Sequence, residues 1–158
     1  MMVKMFGRST ATVTLIAVAL SGSTVLAHHG VSGQYDTSKP FLLAGVVTRT
    51  SFSPPHPVLS VRVETADPPS VEVDRPDEFK GPIVARQEDV DKTHEIEFSP
   101  VQVFFDLGNR VRAGDRVVVL ALRNCLPPHQ LRRSWIKLSN GDVVSYTGGL
   151  HGRVHGCS

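Results

Sequence analysis

The sequence has no apolar run long enough to span a bilayer, which takes about 20 consecutive apolar residues. Its most apolar stretch, Ala11–Leu20, is shorter than that and contains two threonines. Lys4 and Arg8 precede this stretch, and Val25-Leu26-Ala27 follows it with small or β-branched residues at the positions that a signal peptidase reads. We therefore predict a signal peptide at residues 1–27 rather than a membrane anchor, with export to the periplasm or secretion.

The motifs of common catalysts are also missing. The sequence contains no Gly-x-Ser-x-Gly, no His-Glu-x-x-His and no phosphate-binding glycine loop. Paired acids do occur, at Asp77-Glu78 and at Glu95 and Glu97. The second pair alternates with apolar residues, which is typical of the solvated face of a strand. We therefore assign no catalytic residue and expect a binding protein rather than an enzyme.

No excess of charge remains once the predicted signal peptide is removed. The chain has 17 Lys and Arg against 15 Asp and Glu, and the surplus, Lys4 and Arg8, lies within residues 1–27. This balance indicates neither a nucleic acid nor an anionic membrane surface as a partner. The remaining residues, 28–158, are enough for a single domain with its own core.

Cysteine is scarce, since Cys125 and Cys157 are the only two. In an exported protein such a pair most simply forms one disulfide, and we predict that this pair does so. Closing a loop of this size stabilises a fold by about 3–4 kcal/mol, because it restricts the unfolded chain. No cysteine stands at the predicted cleavage point, so we expect no lipid anchor.

Helix signals are weak, whereas Val, Thr, Gly and Pro are frequent, a composition typical of β proteins. Strand patterns occur at residues 41–52, 58–64, 93–98, 116–122, 131–138 and 143–146, with a short helical or apolar segment at 101–107. We predict an all-β fold, namely a small OB-like Greek-key barrel of five or six strands with one short helical segment. A β-sandwich is the alternative.

Local signals refine this prediction. Gly45, inside the first strand, indicates a bend or a close approach of two backbones. Asn140-Gly141, between the last two strands, favours a type I′ hairpin turn. Residues 66–92 are rich in proline and charge, which predicts a surface insertion within the single barrel domain 28–158.

Seven different short motifs are spread along the chain, at Ala27-His28-His29, Tyr35-Asp36, Lys39-Pro40, Gly45-Val46-Val47, Pro55-His56, Ala113-Gly114-Asp115-Arg116-Val117 and Leu138-Ser139-Asn140-Gly141. In these motifs the chain resembles a family of small exported bacterial proteins classed as a domain of unknown function. That family usually has Ser and Phe after the paired histidines, where this chain has Gly30 and Val31. It usually has Asn before the Pro-His pair and aromatic residues after it, where this chain has Pro54 and Pro57. The resemblance implies a periplasmic β-barrel and implies no particular activity.

Histidine is abundant, with seven in the sequence, and imidazole is the commonest metal ligand in proteins. His94 shares one face of the predicted strand with the apolar residues Ile96 and Phe98, so we interpret it as a hydrogen-bonded core residue. His129 lies in a proline-rich loop without an obvious partner. Two further histidines lie in the glycine-rich tail, where a metal site would have little rigidity.

The remaining three histidines, His28, His29 and His56, are the candidate metal ligands. Cleavage after Ala27 leaves His28 at the N-terminus, where its α-amine and ring nitrogen chelate one ion together. His56, on the rigid turn at residues 53–57, supplies the third nitrogen ligand, and His29 is the alternative third ligand. Three nitrogen ligands near a plane suit Cu(II). We favour a periplasmic binding module for a partner protein or small ligand, and keep a periplasmic copper-binding protein as the alternative function.

Overall fold

Each strand pattern of the sequence corresponds to one strand of the structure, except residues 131–138, which form two. The computed structural model describes residues 33–74, 76–146, 148 and 152–157. Its elements are β1 (Tyr35–Asp36), β2 (Phe41–Ser51), β3 (Val58–Thr65), β4 (Val84–Ala85), β5 (Thr93–Phe98), α1 (Gln102–Phe105), β6 (Arg116–Arg123), β7 (Leu131–Arg133), β8 (Trp135–Leu138), β9 (Val143–Ser145) and β10 (Arg153–Val154). Short 3-10 helices occur at Pro76–Glu78, Gln87–Asp89 and Asp106–Asn109.

Five strands close into a ring. Strand β2 pairs with β3 and β3 with β5, both antiparallel, while β5 pairs with β7 in parallel. Strand β6 then pairs antiparallel with both β7 and β2, which completes the ring. This order, with α1 between the third and fourth strands of the ring, is the Greek key of an OB barrel. The predicted barrel is confirmed, and the β-sandwich alternative is wrong, because a sandwich would leave two separate sheets.

The interior of the barrel is apolar. On β3, Leu59, Val61 and Val63 are at most 1% exposed, whereas Arg62 between them is exposed. Phe104 of helix α1 belongs to this core, and its ring centroid lies 4.9 Å from that of Phe98. Burial of these side chains supplies the main driving force for folding.

Gly45 brings β2 and β3 into close contact. A Cβ atom at this position would lie 1.9 Å from the carbonyl oxygen of Arg62, and the pairing register shifts between Ala44 and Gly45. Such a bulge bends a strand, which a barrel needs in order to close. The predicted close approach at Gly45 is therefore confirmed.

The turn between β8 and β9 differs from the prediction. The N–H of Leu138 donates to the carbonyl of Asp142, and the N–H of Gly141 donates to the carbonyl of Leu138. Gly141 has a φ of 92°, whereas Asn140 is not left-handed. The turn is therefore a three-residue loop with one left-handed residue, and the predicted type I′ turn, which needs two, is wrong.

The proline-rich connection between β3 and β5 covers the outside of the barrel. Its apolar side chains, Val71, Val73, Phe79, Ile83 and Ala85, pack on an outer layer formed by Leu42, Ala44, Val118, Leu120 and Trp135. Within this connection, β4 adds a short parallel pairing to β2. A second apolar layer therefore lies outside the barrel core.

The C-terminal tail is attached to the start of the described chain. The predicted disulfide between Cys125 and Cys157 is confirmed, and β10 pairs in parallel with β1. The Asp36 carboxylate accepts hydrogen bonds from the N–H and hydroxyl of Ser38 and from the N–H of Gly156. Burial would raise the pKa of Asp36, but these bonds outweigh it and lower the pKa.

The predicted signal peptide, residues 1–27, lies outside the described residues. Among the residues that the structure describes, no helix has the length and apolar character needed to cross a membrane.

Candidate functional site

His56 is the only predicted metal ligand within the described residues, because His28 and His29 lie outside them. It stands in the loop between β2 and β3, and its Nδ1 atom lies 3.3 Å from Oε1 of Glu97. Both side chains are only 13% exposed. The two groups lie close together without an aligned hydrogen bond, since Nδ1 makes none with the described residues.

Glu97 is the meeting point of two loops. Gln130, at the end of the loop between β6 and β7, donates to its Oε2 atom. Arg132, which faces Glu97 in the β5–β7 pair, places Nη1 3.9 Å from Oε1. The alternating pattern predicted a solvated Glu97, and this is wrong: loop residues His56 and Gln130 fold over the carboxylate and shield it.

The polar network continues beneath the second loop. Tyr35 is 1% exposed, and burial raises the pKa of its phenol, while the nearby Arg132 acts in the opposite direction. Asn124 accepts from the N–H groups of Gln34 and Leu126 through its side-chain oxygen. The base of this loop is therefore held by side-chain bonds to the backbone.

Both loops contain the same tripeptide, Pro54-Pro55-His56 in one and Pro127-Pro128-His129 in the other. This repetition is visible in the sequence, but we predicted a functional residue in only one of the two loops. In OB barrels these two loops border the face that binds ligands. Here they expose prolines and Leu126, which is 44% exposed, while His129 directs Nδ1 to the carbonyl of Asn124 at 3.0 Å.

His94 has a structural role. Its Nε2 atom lies 3.1 Å from Oδ1 of Asp89, whose Oδ2 atom lies 2.5 Å from Nη2 of Arg86. Burial lowers the pKa of His94, and the positive charges of Arg86 and Arg123 add to this, whereas Asp89 opposes it. His94 lies on the same strand face as Ile96 and Phe98, as we predicted, and the Asp89 carboxylate stands beside its ring in place of an aligned hydrogen bond.

A half-open groove of about 310 Å³ crosses the outer face of the barrel. Its floor is a row of cross-strand neighbours, because Ala44 pairs with both Thr65 and Val118, and Val118 pairs with Lys137. Ala44 is small and the adjacent Gly45 has no side chain, so the floor is depressed there. Pro69, from the connection that follows β3, also lines the groove.

Three charged residues, Glu64, Arg116 and Lys137, line the groove. Glu64 is bound by two arginines, with Arg116 Nε at 3.0 Å and Arg62 Nη2 at 3.5 Å. Lys137 is half-buried, and within the described part of the chain its ammonium group has neither an ion pair nor a hydrogen bond. The groove therefore combines an aliphatic floor with one uncompensated positive charge.

Neither the loops around Glu97 nor the groove contains a preformed cluster of metal ligands among the described residues. The described ranges contain no group of three or more His, Cys, Asp or Glu side chains that could hold a metal ion. A copper site at His56 therefore needs ligands from residues outside those ranges, as the hypothesis with His28 already supposes.

No protein-family model, curated protein or solved structure matches this chain. Function is therefore inferred from the chemistry of the sites themselves.

Proposed function

We propose that this protein is an exported binding module for a small ligand, which lies in the groove across β3, β2, β6 and β8. The observation that carries the proposal is the groove itself. Its volume of about 310 Å³ falls at the lower end of the usual range for small-molecule sites. Such sites combine apolar walls with a few polar groups that orient the ligand, and this groove has that composition.

Binding fits the lining better than catalysis does. No histidine and no cysteine lies among the residues that line the groove, and the hydroxyls of Thr65 and Ser139 have no imidazole beside them there. Nucleophilic catalysis by a hydroxyl needs an adjacent base. The lining therefore favours ligand binding over nucleophilic catalysis by a hydroxyl.

Export to the periplasm, or secretion, is part of the proposal. The features of residues 1–27 support it, and so does the disulfide between Cys125 and Cys157, because disulfides persist in oxidising compartments. The resemblance to exported bacterial proteins points in the same direction. Mass spectrometry of the protein isolated from the periplasm, with a chain beginning at His28, would support this assignment.

The groove is tested with a neutral apolar probe. Hexanol is titrated into the oxidised protein, and methyl chemical shifts are followed by NMR; we expect shifts at Ala44, Val117, Val118 and Leu138, which line the groove. Two variants that fill the groove, Ala44→Leu and Thr65→Phe, should abolish these shifts. Two such variants are used because either one alone can disturb packing.

The matched control adds apolar bulk elsewhere. Val84 on β4 is 45% exposed and lies outside the groove, so Val84→Phe should bind hexanol like the unmodified protein. If both filled variants fold and still bind hexanol normally, or if the shifts lie outside the groove, the proposal is wrong.

Copper binding is the second candidate, because of the geometry of His56. Its Nδ1 atom faces the Glu97 carboxylate, which leaves Nε2 as the nitrogen for a metal. Metal-binding histidines commonly direct their other nitrogen to a carboxylate in this way. The α-amine and ring of His28, or the ring of His29, would complete the site and suit Cu(II).

This candidate is tested by copper titration and EPR of protein processed after Ala27. His56→Ala, and separately one extra residue before His28, should each weaken binding at least tenfold and change the EPR spectrum. His129→Ala serves as the control, because it removes an exposed histidine of the other loop. Equal binding by all three variants would reject the site.

A further inference from the structure

We infer that the groove binds an aliphatic monocarboxylate, whose carboxylate lies at Lys137 and whose chain lies along the Ala44–Val118 floor. The inference rests on the proposed function and specifies its ligand class. It follows from three features of the groove: an ammonium group without a partner, a surplus of positive charge, and an aliphatic floor of limited volume.

Lys137 is placed as a counter-charge. It pairs with Val118 on one side and with Val143 on the other, so its side chain emerges from an aliphatic row. The stem of a lysine lies well on such a surface while its charged end remains accessible. Because this ammonium group has no bond to any described residue, an incoming carboxylate need not displace an existing ion pair.

The surrounding charges favour an anion over a cation. Glu64, the carboxylate of the groove lining, is already neutralised by Arg116 and Arg62. Asp142, in the turn beside the groove, is bound by Arg110 at 2.5 Å and by the side-chain amide of Asn140. The local field is therefore positive, and a ligand with an ammonium group would be repelled.

The floor determines the rest of the ligand. Val118 and Ala44 offer no hydrogen-bonding side chain, so the part of the ligand that lies on them must be apolar. At about 30 Å³ for each water-sized unit, a volume of about 310 Å³ holds on the order of ten non-hydrogen atoms. That size corresponds to a straight-chain carboxylate of about eight carbons.

The test compares carboxylates from acetate to decanoate with alcohols of equal carbon number. Trp135 is the only tryptophan and packs in the same layer as Ala44 and Val118, so its fluorescence reports binding. Each added methylene should tighten binding roughly threefold to fourfold, with a plateau near eight carbons. Hexanoate should bind about fivefold more tightly than hexanol, and added salt should reduce this difference.

Lys137→Met keeps an aliphatic stem and removes the charge, so it should erase the preference for hexanoate over hexanol. Lys92→Met makes the same change at an exposed lysine outside the groove and should leave the preference intact. If hexanol binds in the groove without any preference for hexanoate, or if Lys137→Met keeps the preference, this inference is wrong and the proposed function remains. If neither series binds there, both are wrong.

Discussion

Glu97 on β5 and Arg132 on β7 face each other across the parallel strand pair that closes the barrel, with 3.9 Å between Oε1 and Nη1. Arg132 is 5% exposed, and its Nε and Nη1 atoms make no hydrogen bonds with the described residues. The Glu97 carboxylate is therefore the counter-ion of a buried positive charge. It also holds His56 and Gln130, so one side chain links both proline-rich loops to the barrel.

Removal of the Glu97 carboxylate should destabilise the protein substantially. Glu97→Ala leaves Arg132 as a buried charge without its counter-ion, a change that typically costs about 3 kcal/mol or more. Urea unfolding should show this loss in the free energy of unfolding. Glu95→Ala is the control, because Glu95 lies on the same strand, is 63% exposed and contacts only the exposed Arg49 at 3.9 Å; it should cost less than about 0.5 kcal/mol. Equal losses would contradict the role of Glu97.

His94 should make stability fall in mildly acidic solution. Burial lowers the pKa of its ring below the ordinary value of 6.5, so the folded state favours the neutral ring. This contribution is fully present above about pH 6.5 and is lost as the pH falls below that value, because the unfolded chain then binds the proton more readily. Urea unfolding between pH 8 and 5 should show a smaller decline in His94→Gln than in the unmodified protein. Parallel declines would reject this assignment.

Gly45→Ala should disrupt the strand pair that the glycine permits. The new methyl group would lie 1.9 Å from the Arg62 carbonyl oxygen, so the two paired backbones would have to move apart. We expect a loss of about 3 kcal/mol, at the upper end for overpacking. Gly114→Ala is the comparison, because Gly114 has a φ of 96° but open space around a Cβ, so this variant adds backbone strain without a clash. It should lower the free energy of unfolding by about 1 kcal/mol. Thermal unfolding of both variants distinguishes the two effects.

The disulfide should stabilise the fold without being needed for the barrel. Cys125 and Cys157 are separated by 32 residues, and a double serine variant should lose about 3–4 kcal/mol in the free energy of unfolding. The bridge fastens the tail after β10 to the loop after β6, where the N–H of Cys125 donates to the carbonyl of Gln34 just before β1. Amide exchange should therefore accelerate in β1 and β10 and remain slow in β3. Reduction of the unmodified protein should give the same result, whereas reduction of the variant should change nothing. Loss of the barrel itself would contradict this prediction.

The positions of the long strands and of the inward side chains could be predicted from the sequence. In β3 and β5 alternate residues are apolar, and this local pattern specifies which face is buried whatever the partner strand is. The disulfide was also predictable, because the sequence has only one possible pair. The hairpin after β8 was not, since an Asn-Gly pair fits a two-residue turn as well as a three-residue loop that needs a single left-handed residue.

The candidate sites could not be predicted in this way. Glu97 has the pattern of an exposed residue, and only the folding of residues 56 and 130 over it makes it buried. Lys137 and Ala44 are distant in sequence and meet through the registers of β2, β6 and β8. The sequence by itself determined the strands, the apolar faces and the disulfide, because these depend on local periodicity and on cysteine number. The tertiary structure alone decided the groove and the burial of Glu97, because both arise from non-local strand register and from loops whose contacts have no periodic signal.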